Sequence, residues 1–334
     1  MISRLLSEAQ LRSLAAAPDL EGVLRSLVET PYGAAASWLL ERGASLAGAE
    51  EMVVTNLVDA YRRTSLLFHG DEAGLIVEIA RRLDLDNLKA ILRGKARREP
   101  PDAVRPLLIP LGRLSELTIE GLLLAEDVEA AADVLSGTEY GRVLRAALPR
   151  YAAEGSLFPV EIALDLNYYR RLWRAVEGLS GQDRLLVERM MGSRYDVLNL
   201  EWVIRYRLVY ALSPEEILNY TLPFGRRVDA EVIRRSAAAD AIDGIAAAVP
   251  DPYRSLLAGV VAAADPVEAA GLVLQRYLLE VARSALAGYP FHLGIAVAYL
   301  WLKDAEAHDL RAVFEGKRYG RAADSIISSM WGVS

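Results

Sequence analysis

The stretch Asp84-Leu85-Asp86-Asn87-Leu88, followed by Arg93-Gly94-Lys95, returns further along the chain as Asp196-Val197-Leu198-Asn199-Leu200, followed by Arg205-Tyr206-Arg207. It returns a third time as Glu306, Asp309, Leu310 and Lys317, with Glu315 where the arginine stood. Other matches keep the same order. Tyr61-Arg62-Arg63 recurs as Tyr169-Arg170-Arg171, and Tyr277 holds the same place in the last third of the chain. Pro110-Leu111-Gly112-Arg113 recurs as Pro223-Phe224-Gly225-Arg226, and Tyr32, Tyr140 and Tyr253 follow at offsets of 108 and 113. Each match alone is degenerate, but five in one order with offsets of 108 to 113 mark an internal repeat. With units opening at Arg4-Leu5, Arg113-Leu114 and Arg226-Arg227, the chain divides into modules 1–112, 113–225 and 226–334.

The modules read as helical. Apolar residues fall at helical spacing, as in Leu293, Val297, Leu300 and Trp301, and good helix formers dominate the chain. Alternating strand patterns and Asn-Gly or Asp-Gly hairpin signals between such runs are missing. The prolines, Pro149 among them, read as helix stops or first turns. An all-α fold is expected, with three diverged modules of about 110 residues. Within the repeated stretch, Asp84, Asn87, Asp196, Asn199, Glu306 and Asp309 sit where helix caps are expected, with the amide or acid three positions on as a capping-box partner. The basic residues after them, Arg93, Lys95, Arg205, Arg207, Lys317 and Arg318, then fall near the helix ends. There they either complement the helix dipole or offer a surface to a partner.

Composition excludes several classes of function. The chain has 334 residues, 38 basic and 45 acidic, for a net charge of −7. That balance argues against a nucleic-acid protein working by bulk charge. The basic stretch from Arg81 to Arg113 reads as a solvated face or a patch for an acidic protein. The absence of cysteine removes disulfides, thiolate catalysis and cysteine-held zinc or iron–sulfur sites. No signal peptide is expected from Met1 to Glu8, and the apolar run Leu293–Leu302 is half the length a bilayer needs.

Enzyme signatures do not emerge. Gly316-Lys317 lacks the Ser/Thr and the upstream glycine of a phosphate loop. His69, His292 and His308 stand alone at spacings no metal site uses, and His69 and His308 read as exposed. No catalytic, cofactor-binding or metal-binding residue is assigned.

The C-terminal run Tyr289-Pro290-Phe291-His292-Leu293-Gly294-Ile295-Ala296-Val297-Ala298-Tyr299-Leu300-Trp301-Leu302-Lys303, continuing through Glu306 and Leu310-Arg311 to Gly316-Lys317-Arg318-Tyr319-Gly320, resembles the closing segment of the C subunit of A/V-type rotary ATPases. That protein is the counterpart of the d subunit of the eukaryotic V-type enzyme. The stretches at Asp84 and Asp196 resemble the first and second repeats of the same family, so the likeness covers the chain. It departs at Tyr206-Arg207, where the other repeats carry Gly-Lys. The resemblance implies a funnel of three helical modules with pseudo-threefold symmetry. It also implies a cytoplasmic, non-catalytic central-stalk component, peripheral to the membrane through its complex. Its partners would be shaft subunits D and F and the membrane rotor ring, with no nucleic acid and no insertion into the bilayer. The residues alone also admit a helical-repeat adaptor unrelated to these ATPases, although solenoid repeats have periods of about 20–50 residues.

Overall fold

The computed structural model describes residues 2–287 and 292–333, so Tyr289, Pro290 and Phe291 of the family-like run lie outside the described residues. Among the described residues all regular structure is helical. The chain packs as two units, one holding Met1–Arg63 with Ser180–Ser334 and the other Thr64–Leu179. Four helices precede the second unit or enter it: α1 (Glu8–Ala16), α2 (Leu20–Leu27), α3 (Gly33–Arg42) and α4 (Leu46–Ser65). The second unit continues with α5 (Gly70–Ala80), α6 (Arg82–Ala96), α7 (Pro101–Val104), α8 (Ile119–Leu124), α9 (Val128–Val134), α10 (Glu139–Glu154) and α11 (Phe158–Glu177). The first unit resumes with α12 (Gly181–Leu208), α13 (Pro214–Asn219), α14 (Ala230–Ala237), α15 (Ile242–Ala248) and α16 (Tyr253–Ala258). It closes with α17 (Pro266–Leu286), α18 (Leu293–Arg318) and α19 (Ala323–Ser328).

Short polar side chains start many of these helices. Ser7 and Ser213 form capping boxes with Gln10 and Glu216. Asp19, Asp127, Thr138, Asp229 and Asp265 accept from backbone N–H groups of the first turn. The long helices then bury apolar stripes. In the second unit α11 packs on α5, α6 and α10, enclosing Leu75, Leu88, Leu92, Leu144, Leu164 and Leu172. In the first unit α12 packs on α14, α17 and α18, over Val203, Leu274 and Leu300. Here α18 also meets α1, α2 and α19, covering Leu24, Leu310 and Phe314. Each such side chain stabilises the fold by about 1.5–3 kcal/mol.

Two expectations fail here. The repeated acids and amides do not cap the helices they belong to: Asp196 and Asn199 lie in the interior of α12, Glu306 and Asp309 in that of α18. Asp84 and Asn87 lie inside α6, which follows α5 after a single interruption at Arg81. The helices begin earlier because their first turns are stabilised by burial of the stretches before the acids, such as Leu293–Trp301. Pro149 likewise sits inside α10 instead of ending it.

The ends of the repeated helices share one device. Arg98, Ala211 and Gly320 all adopt the left-handed region, with φ of 56°, 54° and 63°. After the first and third, Glu99 N–H reaches back to Gly94 C=O at 2.9 Å and Arg321 N–H to Gly316 C=O at 2.8 Å, the Schellman closure. Leu212 N–H closes on Tyr206 C=O at 2.9 Å. Only glycine holds this backbone without strain. Ala211→Gly is therefore expected to raise stability by roughly 0.5–1 kcal/mol, and Gly320→Ala to lower it by a similar amount. Urea midpoints compared at constant slope give the check.

Candidate functional site

The repeated acids and amides meet backbone that comes from further along the chain. Asn87 accepts from Ile109 N–H at 2.7 Å and donates to Ile109 C=O at 2.8 Å. Asn199 does the same to Leu222, both bonds at 2.9 Å. Asp309 has no donor to offer, and instead accepts from Trp331 and Gly332 N–H at 2.7 and 2.8 Å. One helical turn earlier, Asp84 accepts from Ser115 Oγ at 2.6 Å and Glu116 N–H at 2.7 Å. Asp196 accepts from the N–H groups of Arg227 and Val228 at 3.0 and 2.8 Å and from Tyr253 Oη at 2.9 Å. Glu306 finds its donors at the other end of the chain: Leu6 N–H at 2.5 Å and Tyr32 Oη at 2.6 Å.

Electrostatics follow from this enclosure. Burial pushes the Asp84 and Asp196 carboxyls above their ordinary value, and the hydrogen bonds from Ser115 and Glu116, or from Arg227, Val228 and Tyr253, pull partly back. Lys303 is lowered by burial, against the pull of Glu306, which accepts a hydrogen bond from its ammonium at 2.5 Å. Burial and the neighbouring Glu306 raise the Tyr32 hydroxyl, keeping it a donor. Tyr140, equivalent in sequence to Tyr32 and Tyr253, is buried without a hydrogen bond because Ser115 occupies the corresponding position on Asp84.

Glycine permits the close approach. A Cβ on Gly225 would stand 2.4 Å from Val228 O and 2.5 Å from Asp196 Oδ1. On Gly332 it would stand 2.7 Å from Asp309 Oδ2. The repeated proline–glycine–arginine signal is thus explained, at its second occurrence, by the path the backbone takes around a carboxylate.

The expected docking cations divide into two sets. Lys95 donates to Leu123 C=O at 2.5 Å and is buried, so its reading as a partner contact is corrected. Lys317 reaches Ala15 C=O at 2.5 Å. Arg207 bonds Ala239 and Leu212 C=O at 3.1 and 3.3 Å and pairs with Asp240. These two also use their donors inside the fold. Arg93, Arg205 and Arg318 are exposed; Arg93 forms a bidentate pair with Glu161, and Arg318 lies over Tyr319.

A charged network in the second unit surrounds the first carboxylate. Arg81 bridges Glu78 and Glu116, each at 2.6 Å, and Arg171 bonds the same two at 3.0 Å. Its acids are occupied by guanidinium groups, an arrangement suited to rigidity and not to proton transfer. His69 is exposed ahead of α5, whereas His308 is half-buried, stacked on Trp331 at 3.8 Å between centroids. Among the described residues no group of three acids or histidines is placed to hold a metal ion. Among them, too, no helix is long and apolar enough to cross a membrane.

Fold and site together define an all-helical protein whose repeated polar residues tie helix to backbone. The chain belongs to the ATP synthase (C/AC39) subunit family, whose sequence model matches residues 1–328. It is similar to the C subunit of the A-type ATP synthase of Methanocaldococcus jannaschii, 24% identical over 319 residues, 94% of this chain and 79% of that protein. The corresponding protein of Pyrococcus horikoshii is 25% identical over 318 residues, 94% and 82% of the two chains. That of Methanothermobacter thermautotrophicus is 25% identical over 285 residues, 84% and 74%.

Sequence reasoning missed Lys303, the tyrosine hydroxyls as donors, and the backbone partners of every repeated acid. The tyrosines had a signal, their ordered recurrence as Tyr32, Tyr140 and Tyr253; backbone donors carry none. Asn199→Ala would leave both polar groups of Leu222 unpaired and is expected to cost about 2–4 kcal/mol, read from urea denaturation. A second outcome concerns Glu201 on α12, which accepts from Gln275 at 2.7 Å and is pushed by burial from 4.5 to about 6. Because the folded-state value is the higher one, the folded chain retains a proton that the unfolded chain has released. Stability therefore falls as pH rises through that window. Glu201→Gln is expected to stabilise the chain at pH 8, by on the order of 1 kcal/mol, and to change little at pH 4. Paired denaturation curves at the two pH values test the sign.

Proposed function

We propose that this chain is a non-catalytic central-stalk component of an A/V-type rotary ATPase, joining the shaft subunits D and F to the membrane rotor ring and transmitting torque between them. In this reading the modules 1–112, 113–225 and 226–334 form a funnel, held at the cytoplasmic face of the membrane by its complex. The observation that carries it is the family match over residues 1–328. The chemistry of the repeated helices supports it. The buried Asp84 and Asp196 are committed to backbone N–H groups and hydroxyls, which stiffens the joints between successive segments. A torque-transmitting part needs stiffness and fitted surface, and packed interiors of low compressibility supply the first.

For the surface, we assign the exposed ends of the repeated helices. Arg93, Arg205 and Arg318 are solvent-facing there, and Val209, Tyr210 and Tyr319 lie 50–70% exposed beside them in sequence. Aromatic and arginine side chains are the residue types that anchor protein interfaces. An open groove of about 1120 Å³ at the end of α6, lined by Arg98, Leu124, Arg145 and Leu148, adds a concave element to the same helix end.

Reconstitution with and without the chain tests the proposal. A complex lacking it is expected to hydrolyse ATP and to transport no ions; coupled transport without the chain would overturn the assignment. Arg205→Glu combined with Arg318→Glu is expected to weaken assembly at an unchanged melting temperature. Arg207→Glu is expected to lower the melting temperature, because that guanidinium holds two internal carbonyls.

A further inference from the structure

The three buried acids perform one task with different connections. Asp84 and its donors Ser115 and Glu116 are 31 and 32 residues apart on one continuous stretch, and Asp196 with Arg227 and Val228 repeats that spacing. Glu306 and Leu6 are 300 residues apart. The first two ties fasten a short loop; the third fastens the beginning of the chain to its end. Lys317 to Ala15 C=O and Tyr61 Oη to Asp304, at 2.9 Å, belong to the same joint. We propose that this joint is a latch, from which the segment spanning residues 2–63 detaches from α18 and α19 as one block while the remainder of the chain stays folded.

The composition of the joint favours opening there. Its centre is the Lys303–Glu306 pair, with side chains 1% and 3% exposed, capped by Tyr32 and Leu6 N–H. Both charges belong to α18, so the pair does not itself span the joint; closing the joint buries them at a desolvation cost that hydration recovers when it opens. The segment continues into the rest of the chain at one place only, Arg63–Thr64. The turn that follows carries the exposed Leu66 and Leu67 and the left-handed Gly70, at φ 53°.

Both chain ends lie on neighbouring turns of α18, Leu6 at Glu306 and Trp331 with Gly332 at Asp309. A permuted chain is therefore a direct test: residue 334 joined to residue 1 by a short flexible linker, with new ends opened in the turn at 178–181. Hydrogen exchange by mass spectrometry reads the outcome on the whole chain. In the natural order, amides of α1 to α4 are expected to exchange together, at least about tenfold faster than those of α12 and α17. Glu306→Gln is expected to speed that block further and to leave α12, α17 and α5 to α11 unchanged. The permuted chain ties the block down at both of its ends and is expected to slow its exchange by at least about tenfold. Equal protection of α1–α4 and α12 in the natural chain would overturn the proposal. So would a Glu306→Gln effect spread evenly over all helices, or a block whose exchange the permutation leaves unaltered.

Discussion

A carboxylate buried in the middle of a helix cannot be satisfied by the backbone of that helix, whose N–H groups are already bonded to the i−4 carbonyls. It must draw donors from elsewhere or bear the cost of a bare charge in a low dielectric. Asp196 and Glu306 impose that condition inside α12 and α18, and Asp84 in the first turn of α6, with Lys303 giving Glu306 one further donor from its own helix. The chain answers each time by bringing a non-helical stretch across the helix, N–H groups foremost. The loops between helices are therefore positioned by the helices' own acids, and the small helices that begin beyond those loops, α8 and α14, inherit their placement.

The amide or acid one turn on works in parallel. Asn87 and Asn199 take both polar groups of a single peptide residue, a pairing that specifies direction as well as position. Lys95, Arg207 and Lys317 then hold carbonyls at the ends of α8, α14 and α1 or just beyond them. Helix termini leave carbonyls without intrahelical partners, so a cation projecting from another helix is a suitable cap. The repeated helix thus supplies an acceptor, an Asn or Asp, and a donor, and in the first two repeats the crossing chain meets the amide first, then the acid and last the cation.

Much of this arrangement is legible in the residues. The repeat, the helical class and the spacing of the tyrosines follow from side-chain identities alone. The role of the acids does not, because an Asp with Asn three positions later reads equally well as a helix cap and as a buried mid-helix pair. What separates the two is the location of the donors. In these sites they are mostly backbone N–H groups, which every residue but proline possesses. Gly225 is a trace the crossing left in sequence, since a Cβ there would collide with Asp196. The cations do belong near helix ends, but Lys95 serves a neighbouring carbonyl and not an outside partner. Pro149 inside α10 shows a different limit: proline marks a helix stop only where tertiary packing does not override it.

The phase between the repeat and its hydrogen bonds has a consequence for ancestry. Asp84 lies before residue 112 and both of its donors lie after it. A single copy of the repeat, cut at the sequence boundary, would keep the partner of its amide but carry an acid and a lysine whose partners sit on the next copy. Such a peptide is not self-sufficient. A one-copy forerunner would have satisfied its helix only by exchanging these groups among identical neighbours. Fusion into one polypeptide would turn that association constant into a linker length.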